Sequence, residues 1–196
     1  PWPHAYGTAH RLDHTMSNMW HGELVRLRAV EPDDLPVFRR EGIADADDSQ
    51  LYDDRRYPPL SEEAAKARWD RAMKPSEDSD DLTLAIESVD GDALVGSLSA
   101  NHCDRRTGTF EVGLGIFTAH RRRGYASEAV QMLMRYYFEE LRYQKANTIV
   151  NAFNEPSLAL HRHLGFVEEG RRRRAGFSGG EHFDDILFGI TVEEFL

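Results

Sequence analysis

A loop that joins a strand to a helix is the feature of this sequence that most constrains its fold. The loop reads His-Arg-Arg-Arg-Gly-Tyr-Ala over residues 120–126 and follows an apolar stretch, residues 112–117, that predicts a strand. Beyond Gly124 apolar residues recur with helical spacing, which predicts an amphipathic helix over residues 124–141. The start of such a helix presents unpaired backbone N–H groups and the positive end of its dipole. The loop therefore predicts an anion-binding site, to which its three arginines add positive charge.

Two glycines interrupt the strand that precedes this loop. Gly113 and Gly115 occupy alternate positions, so both open toward the same face of the sheet. A glycine inside a strand often marks a bulge or the close approach of another backbone or a ligand, although helix packing is an alternative reason. Glu111 has the same parity, so its carboxylate is predicted to point to the face that the glycines leave open.

A second motif, NEPSLALHRHLGF over residues 154–166, follows a further predicted helix and strand. Together the two motifs resemble those of the GCN5-related N-acetyltransferase (GNAT) superfamily. The spacing Arg-x-x-Gly-x-Ala over residues 121–126 is similar to the acetyl-CoA loop of that superfamily. The second motif shares its Asn at a strand end, its short helix and its closing Gly-Phe. The resemblance covers residues 22–196.

The resemblance implies an α+β fold with a mixed, mostly antiparallel central sheet of about six to seven strands flanked by about four helices. The hydrophobic pattern along the chain agrees with this expectation. It predicts strands over residues 23–29, 82–88, 93–100, 107–117, 145–153, 166–174 and 183–192, and helices that open at Pro32 and cover residues 61–73, 124–141 and 156–164. Residues 43–60 are predicted to form a loop or an irregular helix.

Residues 21–196 are predicted to form a single GNAT acetyltransferase domain, since 196 residues suit one core and no internal repeat is present. Residues 1–20 contain three histidines and two prolines without a periodic apolar pattern, so we expect a flexible N-terminal leader. Met16 or Met19 could be the natural start of the protein.

The composition limits where the protein acts. A single cysteine, Cys103, excludes an internal disulfide and favours a reducing compartment. No apolar run approaches the ~20 residues that a membrane helix needs, and nothing resembles a secretion signal. We therefore expect a cytoplasmic protein that does not act on a membrane.

The charge narrows the possible partners. A net charge of −10 argues against nucleic-acid binding, which needs a surplus of Lys and Arg on one face. Acidic residues crowd residues 45–54 and 77–81, whereas residues 121–123 and 171–174 are arginine blocks. These charges either lie on solvated loops or form an acidic mouth for a cationic amine beside a basic groove.

The resemblance also implies the co-substrate site, which is for acetyl-CoA without a metal. The main-chain N–H groups of residues 122–127 are expected to hold the diphosphate, with the side chain of Arg121 beside it. The strand that leads to the loop is expected to bind the pantetheine arm through its backbone and to polarise the thioester carbonyl. The predicted cofactor-binding residues are Leu114, Gly115, Ile116, Arg121, Arg122, Arg123, Gly124, Tyr125, Ala126, Ser127 and Asn154. Asn154 is also a candidate N-cap of the helix that follows it.

Three residues are candidates for proton transfer. Glu111 is the candidate base, acting directly or through a water if partial burial makes it a better proton acceptor, and an exposed strand Glu is the alternative. His161 stands where the superfamily usually has a Tyr that protonates the departing thiolate, and an imidazole that titrates near pH 6.5 can donate a proton. Ser157 is the other candidate for this acid. A third possibility is that no specific acid exists and that His161 is merely exposed.

The expected activity is transfer of an acetyl group from acetyl-CoA to a primary amine by direct attack on the thioester. The chain start, the second motif and the final hairpin look like the RimJ/RimL-like branch, but this branch does not by itself name the acceptor. The acidic clusters favour a cationic acceptor, so we expect a peptide or protein N-terminus or a small cationic amine. One alternative is a non-catalytic module that senses acyl-CoA. Another is a nucleic-acid or ribosome adaptor that uses residues 121–123 and 171–174. A homodimer formed through edge strands, such as the final hairpin, is possible.

Overall fold

In the computed structural model, which describes residues 18–44, 60–72 and 79–196, seven strands form one sheet. The strands are β1 (Val25–Ala29), β2 (Leu82–Ser88), β3 (Leu94–Asp104), β4 (Thr109–Ile116), β5 (Lys145–Asn151), β6 (Val167–Ser178) and β7 (Glu181–Thr191). Their order across the sheet is β1-β2-β3-β4-β5-β7-β6. The β4–β5 pair is parallel and the other pairs are antiparallel. The predicted α+β class and the mostly antiparallel sheet are confirmed.

Four of the helices within the described residues follow the predicted order, and a fifth, at the end of the chain, was not predicted. They are α1 (Leu35–Ala44), α2 (Glu62–Ala72), α3 (Tyr125–Arg135), α4 (Glu155–His163) and a short α5 (Val192–Phe195). A 3-10 turn at Pro32–Asp34 leads into α1, and α3 continues as a π-helical turn over Tyr136–Glu140. Most of the predicted irregular segment at residues 43–60 and the acidic cluster at 45–54 lie outside the described residues.

The core lies between the sheet and the apolar face of α3. The stripe predicted from helical spacing is buried there, with Ala129, Val130 and Leu133 fully enclosed. In the π-helical turn that follows, Tyr137 stacks on Phe110 of β4 with ring centroids 4.3 Å apart. The long helix therefore fixes the position of β4, the strand that leads into the arginine-rich loop.

The central strands separate partway along their length, and this split positions the site. β4 and β5 pair only from Thr109 opposite Lys145 to Glu111 opposite Asn147. Beyond that point β4 continues to Ile116 without a partner from β5. The hydroxyl of Thr148 donates to the carbonyl of Val112 at 3.1 Å, where the split begins. The two strands thus leave a gap between them beyond Glu111 and Asn147.

The start of α3 is tied to the first strand by Glu128. Its carboxylate oxygens accept hydrogen bonds from the backbone N–H groups of Glu23, Leu24 and Val25 at 2.7–2.8 Å. Just before this segment, Trp20 packs on Tyr136 at 4.8 Å between ring centroids. Packed structure therefore begins by Trp20, the last residue of the predicted leader, and residues 1–17 lie outside the described range.

The last two strands are longer than the sequence predicted. The hairpin pairs out to Ser178 opposite Glu181, around the predicted Gly-Gly turn at residues 179–180. Its register shifts between Arg172 and Gly176, so β6 bulges there. None of the helices in the described part of the chain combines the length and the apolar character that crossing a membrane demands.

Candidate active site

A cavity of about 370 Å³ lies at the N-terminus of α3, and we call it the loop cavity. It is lined by Leu114, Ile116, His120, Arg121, Arg122, Arg123, Gly124, Tyr125, Ala126, Ser127, Asn154, Pro156, Ser157 and Leu160. Every predicted cofactor-binding residue except Gly115 lines this cavity.

The backbone of the loop explains its glycine. Gly124 has φ +84°, a left-handed conformation that side chains rarely adopt, and a Cβ there would lie 2.9 Å from Leu24 Cδ1. No side chain caps the helix that begins after it. The N–H groups of the first turn, residues 125–127, are therefore left for a ligand, and they carry the positive end of the α3 dipole.

The arginines of the loop differ in their surroundings. Arg121 is half-buried, and its Nε donates to the carbonyl of Ile116 at 3.2 Å, which ties the loop back to the end of β4. Arg122 and Arg123 are exposed. The loop cavity therefore has one anchored cation and two solvated ones at its rim.

The backbone of β4 presents alternate residues to the gap between β4 and β5. The Val112 carbonyl faces β5, where it accepts from Thr148, whereas the Phe117 N–H donates to Val95 of β3. Because N–H and C=O of one residue point the same way in a strand, Leu114 and Ile116 face the gap and Gly115 faces β3. The prediction that Gly115 offers its backbone to the pantetheine is therefore not supported.

Gly113 lies close against a neighbouring strand. A Cβ at this position would lie 2.5 Å from the hydroxyl oxygen of Ser99, the residue opposite it on β3. Ser99 is in turn held by Asn101, whose side-chain amide donates to it at 2.9 Å. The glycine therefore makes room for a polar pair on β3, which is a further reason that the sequence did not suggest.

A second cavity of about 370 Å³ lies beyond the split, and we call it the carboxylate cavity. It is lined by Glu111, Val112, Gly113, Leu114, Thr148, Ile149, Val150, Asn151, Asn154, Ser157, His161, Ala175, Gly176 and Asp185. Glu111 and Gly113 line it together, as their shared parity predicted. No local pattern singles out Thr148, Asn151 or Asp185 as site residues, because only the register of β5 and β7 brings them here.

The two carboxylates of this cavity are not equivalent. The side chain of Glu111 is 32% exposed, and one of its oxygens lies 3.6 Å from Nδ1 of His102, an exposed residue on β3. Asp185 is buried, and its carboxylate accepts from the guanidinium of Arg172 at 2.7 Å. Glu111 is therefore the carboxylate more open to a ligand.

The two cavities meet where β4, β5 and α4 converge. Leu114, Asn154 and Ser157 line both of them, and we call these three residues the junction. Asn154 is buried, and its side-chain oxygen accepts from the Ser157 N–H at 3.2 Å, so the predicted N-cap of α4 is confirmed. A molecule in the loop cavity can thus reach a molecule in the carboxylate cavity through the junction.

His161 is buried in the wall of the carboxylate cavity. Only 3% of it is exposed, so the possibility of a merely exposed histidine is wrong. Burial lowers the pKa of the imidazole below 6.5, and a hydrogen bond with the Ser157 carbonyl opposes this only in part. The expectation of a group that titrates near 6.5 is therefore wrong, and at neutral pH the ring is uncharged.

Several charges that the sequence singled out have structural partners. On β6, Arg171 and Arg172 pair with Asp184 and Asp185 of β7 at 3.0 and 2.7 Å. In the second acidic cluster, the Asp80 carboxylate accepts from Arg105 and from the Tyr143 hydroxyl. Half of the arginine block at residues 171–174 is thus paired within the hairpin, which weakens the case for an adaptor that binds nucleic acid there.

Comparison with known proteins agrees with this geometry. The family model described as an acetyltransferase (GNAT) domain matches residues 25–167, and the chain belongs to this family. It is 36% identical over 179 residues to the SPbeta prophage-derived uncharacterized N-acetyltransferase YokL of Bacillus subtilis (strain 168), an alignment that covers 90% of this chain and 94% of the relative. The fold, the family and this relative define the chain as an N-acetyltransferase.

Two further similarities involve enzymes that are named for polyamines. The spermidine N(1)-acetyltransferase of Escherichia coli (strain K12) is 29% identical over 113 residues, which cover 57% of this chain and 59% of that protein. The crystal structure of spermidine N-acetyltransferase from Vibrio cholerae in complex with CoA and spermine has a TM-score of 0.74 at 20% identity, over 87% of this chain and 97% of that one. The second similarity shows the fold alone.

Proposed function

We propose that this enzyme transfers the acetyl group of acetyl-CoA to a primary amine, which attacks the thioester directly. The observation that carries this proposal is the meeting of two cavities at the junction, one edged by free backbone N–H groups and the other by carboxylates. An activated donor and an amine can approach each other there without a covalent enzyme intermediate.

The loop cavity is proposed to hold acetyl-CoA. The backbone N–H groups at the start of α3 suit a diphosphate, because they combine hydrogen bonds with the helix dipole. The edge of β4 that faces the gap would take the pantetheine arm at Leu114 and Ile116. The Leu114 N–H would then stabilise the oxyanion that forms on the thioester carbonyl. Asn154 lies at the junction, where its side chain can contact the same arm.

The carboxylate cavity is proposed to hold the amine. Glu111 would attract the ammonium form and accept one proton from it, since an ammonium cannot attack a carbonyl until it loses a proton. Asp185 contributes less negative charge to the cavity, because Arg172 compensates it. The acceptor is therefore proposed to be a cationic amine or a peptide N-terminus. The relatives named for spermidine favour a polyamine, and membership of the RimJ/RimL-like branch would favour a protein N-terminus.

The proton donor for the departing thiolate is proposed to come from α4. Ser157 lies at the junction, where the sulfur would leave, and His161 lies one helical turn further along. A cytoplasmic location and a homodimer that pairs through an edge strand stay proposals too. β6 is a terminal strand of the sheet and is placed for such pairing.

Titration calorimetry with acetyl-CoA, followed by an acceptor screen, tests this proposal. Thiol release would be measured with spermidine, spermine, an aminoglycoside and peptides that have free N-termini. We expect acetyl-CoA to bind in the micromolar range that is typical of enzyme substrates, and at least one cationic amine to release thiol. The absence of binding at millimolar acetyl-CoA would overturn the proposal. Binding without turnover of any amine would leave only the acyl-CoA sensor.

A further inference from the structure

Two polar side chains on α4 connect the carboxylate cavity with the junction. His161 lines the carboxylate cavity, and Ser157, one turn earlier, lines both cavities. Their side chains face each other, with 3.4 Å between the Ser157 hydroxyl oxygen and Nδ1 of His161. A continuous polar path therefore runs along α4 from the proposed amine site to the proposed thioester site.

The hydrogen bonds of His161 fix which ring nitrogen carries a proton. Nδ1 lies 2.8 Å from the backbone carbonyl of Ser157, and a carbonyl can only accept, so Nδ1 is the protonated nitrogen. In the uncharged ring Nε2 then bears a lone pair. The ring orientation is held by Phe166, edge-on at 5.2 Å, and by Phe188, nearly parallel at 6.0 Å.

Nε2 of His161 is a buried acceptor that has no hydrogen-bond partner among the described residues. Such atoms are rare in proteins, because an unpaired buried polar group costs free energy. His161 lines the carboxylate cavity, and we infer that a donor group of a ligand bound there supplies the missing partner of the Nε2 lone pair. In the proposed reaction the ligand on this side is the amine, which is a donor.

We propose that His161 and Ser157 form a proton relay, which carries a proton from the attacking amine to the departing thiolate. This proposal rests on the proposed function. His161 Nε2 receives the proton, and the Ser157 hydroxyl delivers one to sulfur. The relay assigns the two residues to successive positions on one path, whereas the sequence offered them as alternative acids.

The proposed reaction takes two protons from the amine nitrogen and breaks the bond from carbon to sulfur. Glu111 first takes one proton from the ammonium, and the neutral amine attacks the thioester carbon, forming the C–N bond and an oxyanion. The nitrogen, now positively charged, gives a second proton to Nε2 of His161. The carbonyl re-forms, the C–S bond breaks, and its electron pair leaves on sulfur. Nδ1 passes its proton to the hydroxyl oxygen of Ser157, which lies 3.4 Å away, while the proton of that hydroxyl moves to sulfur.

The products are the acetylated amine, the free thiol of CoA and one proton on Glu111 that escapes to water. His161 is left protonated on Nε2, and exchange with water after product release restores the Nδ1–H form. Because burial disfavours a charged imidazole, the ring is suited to passing a proton on and not to storing one. After a full cycle, His161 and Ser157 have returned to their starting protonation states.

A double-mutant cycle tests the relay. The variants are Ser157→Ala, His161→Asn and the double variant, assayed at saturating acetyl-CoA with spermidine or with the best amine of the screen. Each single change is expected to lower kcat by roughly 10²-fold or more, the usual contribution of proton transfer. The double variant is expected to match the worse single variant within about threefold, because both changes break one path. Losses that multiply to roughly 10⁴-fold, or single variants within about threefold of the wild type, would overturn the relay.

Matched controls separate the relay from folding and from the proposed function. His161→Asn keeps an N–H donor for the Ser157 carbonyl, so it is the gentler variant at this buried position. His163→Phe changes an exposed histidine of the same helix and is expected to leave kcat unchanged. Calorimetry must show that both single variants still bind acetyl-CoA. A wild type that binds no acetyl-CoA would refute the proposed function, which is a different outcome from additive losses.

Nitrogen-15 NMR of the wild-type histidines provides a test that needs no active variant. At pH 7.5 we expect the His161 ring to carry its proton on Nδ1 with Nε2 unprotonated, and the His161→Asn spectrum would assign the signal. An Nε2-protonated ring or an imidazolium at that pH would overturn the relay, because Nε2 could not then accept the amine proton.

Discussion

The loop cavity and the carboxylate cavity have similar volumes but are built in different ways. The loop cavity depends mainly on one continuous segment, residues 120–127, whose backbone N–H groups point to one place. The carboxylate cavity gathers side chains from β4, β5, α4, β6 and β7. A site made of backbone is set by local conformation, whereas a site made of side chains is set by the register between distant strands. The two cavities should therefore respond differently to mutation.

The largest effect is expected from Glu111→Gln in the carboxylate cavity. Removing the proton acceptor should lower kcat by roughly 10²- to 10⁴-fold, while the affinity for acetyl-CoA stays unchanged because the loop cavity is intact. Steady-state kinetics and calorimetry on the same preparation measure both quantities. A variant that keeps its turnover within about threefold would show that Glu111 is not the base.

Gly124→Val, in contrast, should weaken the binding of acetyl-CoA. Valine would have to adopt φ +84° and place its Cβ 2.9 Å from Leu24 Cδ1, so the loop must change shape. Strain of this kind weakens binding by roughly 10- to 100-fold, and we expect that rise in the dissociation constant of acetyl-CoA. Calorimetry measures it, with a thermal melt to confirm folding. Unchanged affinity would mean that the diphosphate does not rest on this backbone.

Glu128→Ala tests how far the loop cavity depends on distant parts of the chain. Three backbone N–H groups at residues 23–25 would lose their acceptor, which should lower the free energy of unfolding by about 2 kcal/mol. Acetyl-CoA affinity well below the melting temperature should persist. The exposed residue Glu139, changed to Ala, is the matched control and should shift stability by less than about 0.5 kcal/mol. Equal effects of the two changes would remove Glu128 as an anchor.

The buried imidazole of His161 should make stability depend on pH. Because burial lowers its pKa below 6.5, the unfolded chain binds a proton here at a pH where the folded chain does not. Stability from this group is complete above pH 6.5 and declines as the pH falls, by up to about 1.4 kcal/mol per pH unit. Denaturant unfolding from pH 7.5 to pH 5 measures the slope, and His161→Phe should flatten it. If the free energy of unfolding depends on pH in the same way in the wild type and in His161→Phe, the His161 ring is not buried in its neutral state.

The smallest effect is expected from Arg122→Ala. This variant removes a side chain of the loop and, unlike a change at Gly124, does not force a new backbone conformation. Arg122 is exposed and already has φ +61°, so alanine leaves the backbone much as it is. Only a screened charge is lost, and the affinity for acetyl-CoA should fall roughly two- to fivefold. A loss as large as that of Gly124→Val would mean that arginine side chains, and not the backbone, hold the donor.

The contrast between the cavities also explains what could be predicted from the sequence. The helix start at Gly124, the N-cap Asn154 and the parity of Glu111 follow from local rules, and the structure confirms them. Asp185 and Thr148 reach the site through strand register, which no local pattern encodes. The close contact of Gly113 with Ser99 was missed because Ser99 lies on another strand. The state of His161 was misjudged because burial depends on Phe166 and Phe188, whose packing arises only in the folded protein.

Above all, we infer that backbone N–H groups at the start of α3 bind the diphosphate of the donor. The most direct measurement is a crystal structure of the protein with coenzyme A bound. We predict diphosphate oxygens within hydrogen-bonding distance of the N–H groups of residues 124–127, with the pantetheine arm along Leu114 and Ile116 and the thiol at Ser157. A nucleotide bound elsewhere, with the loop cavity empty or closed, would contradict this claim.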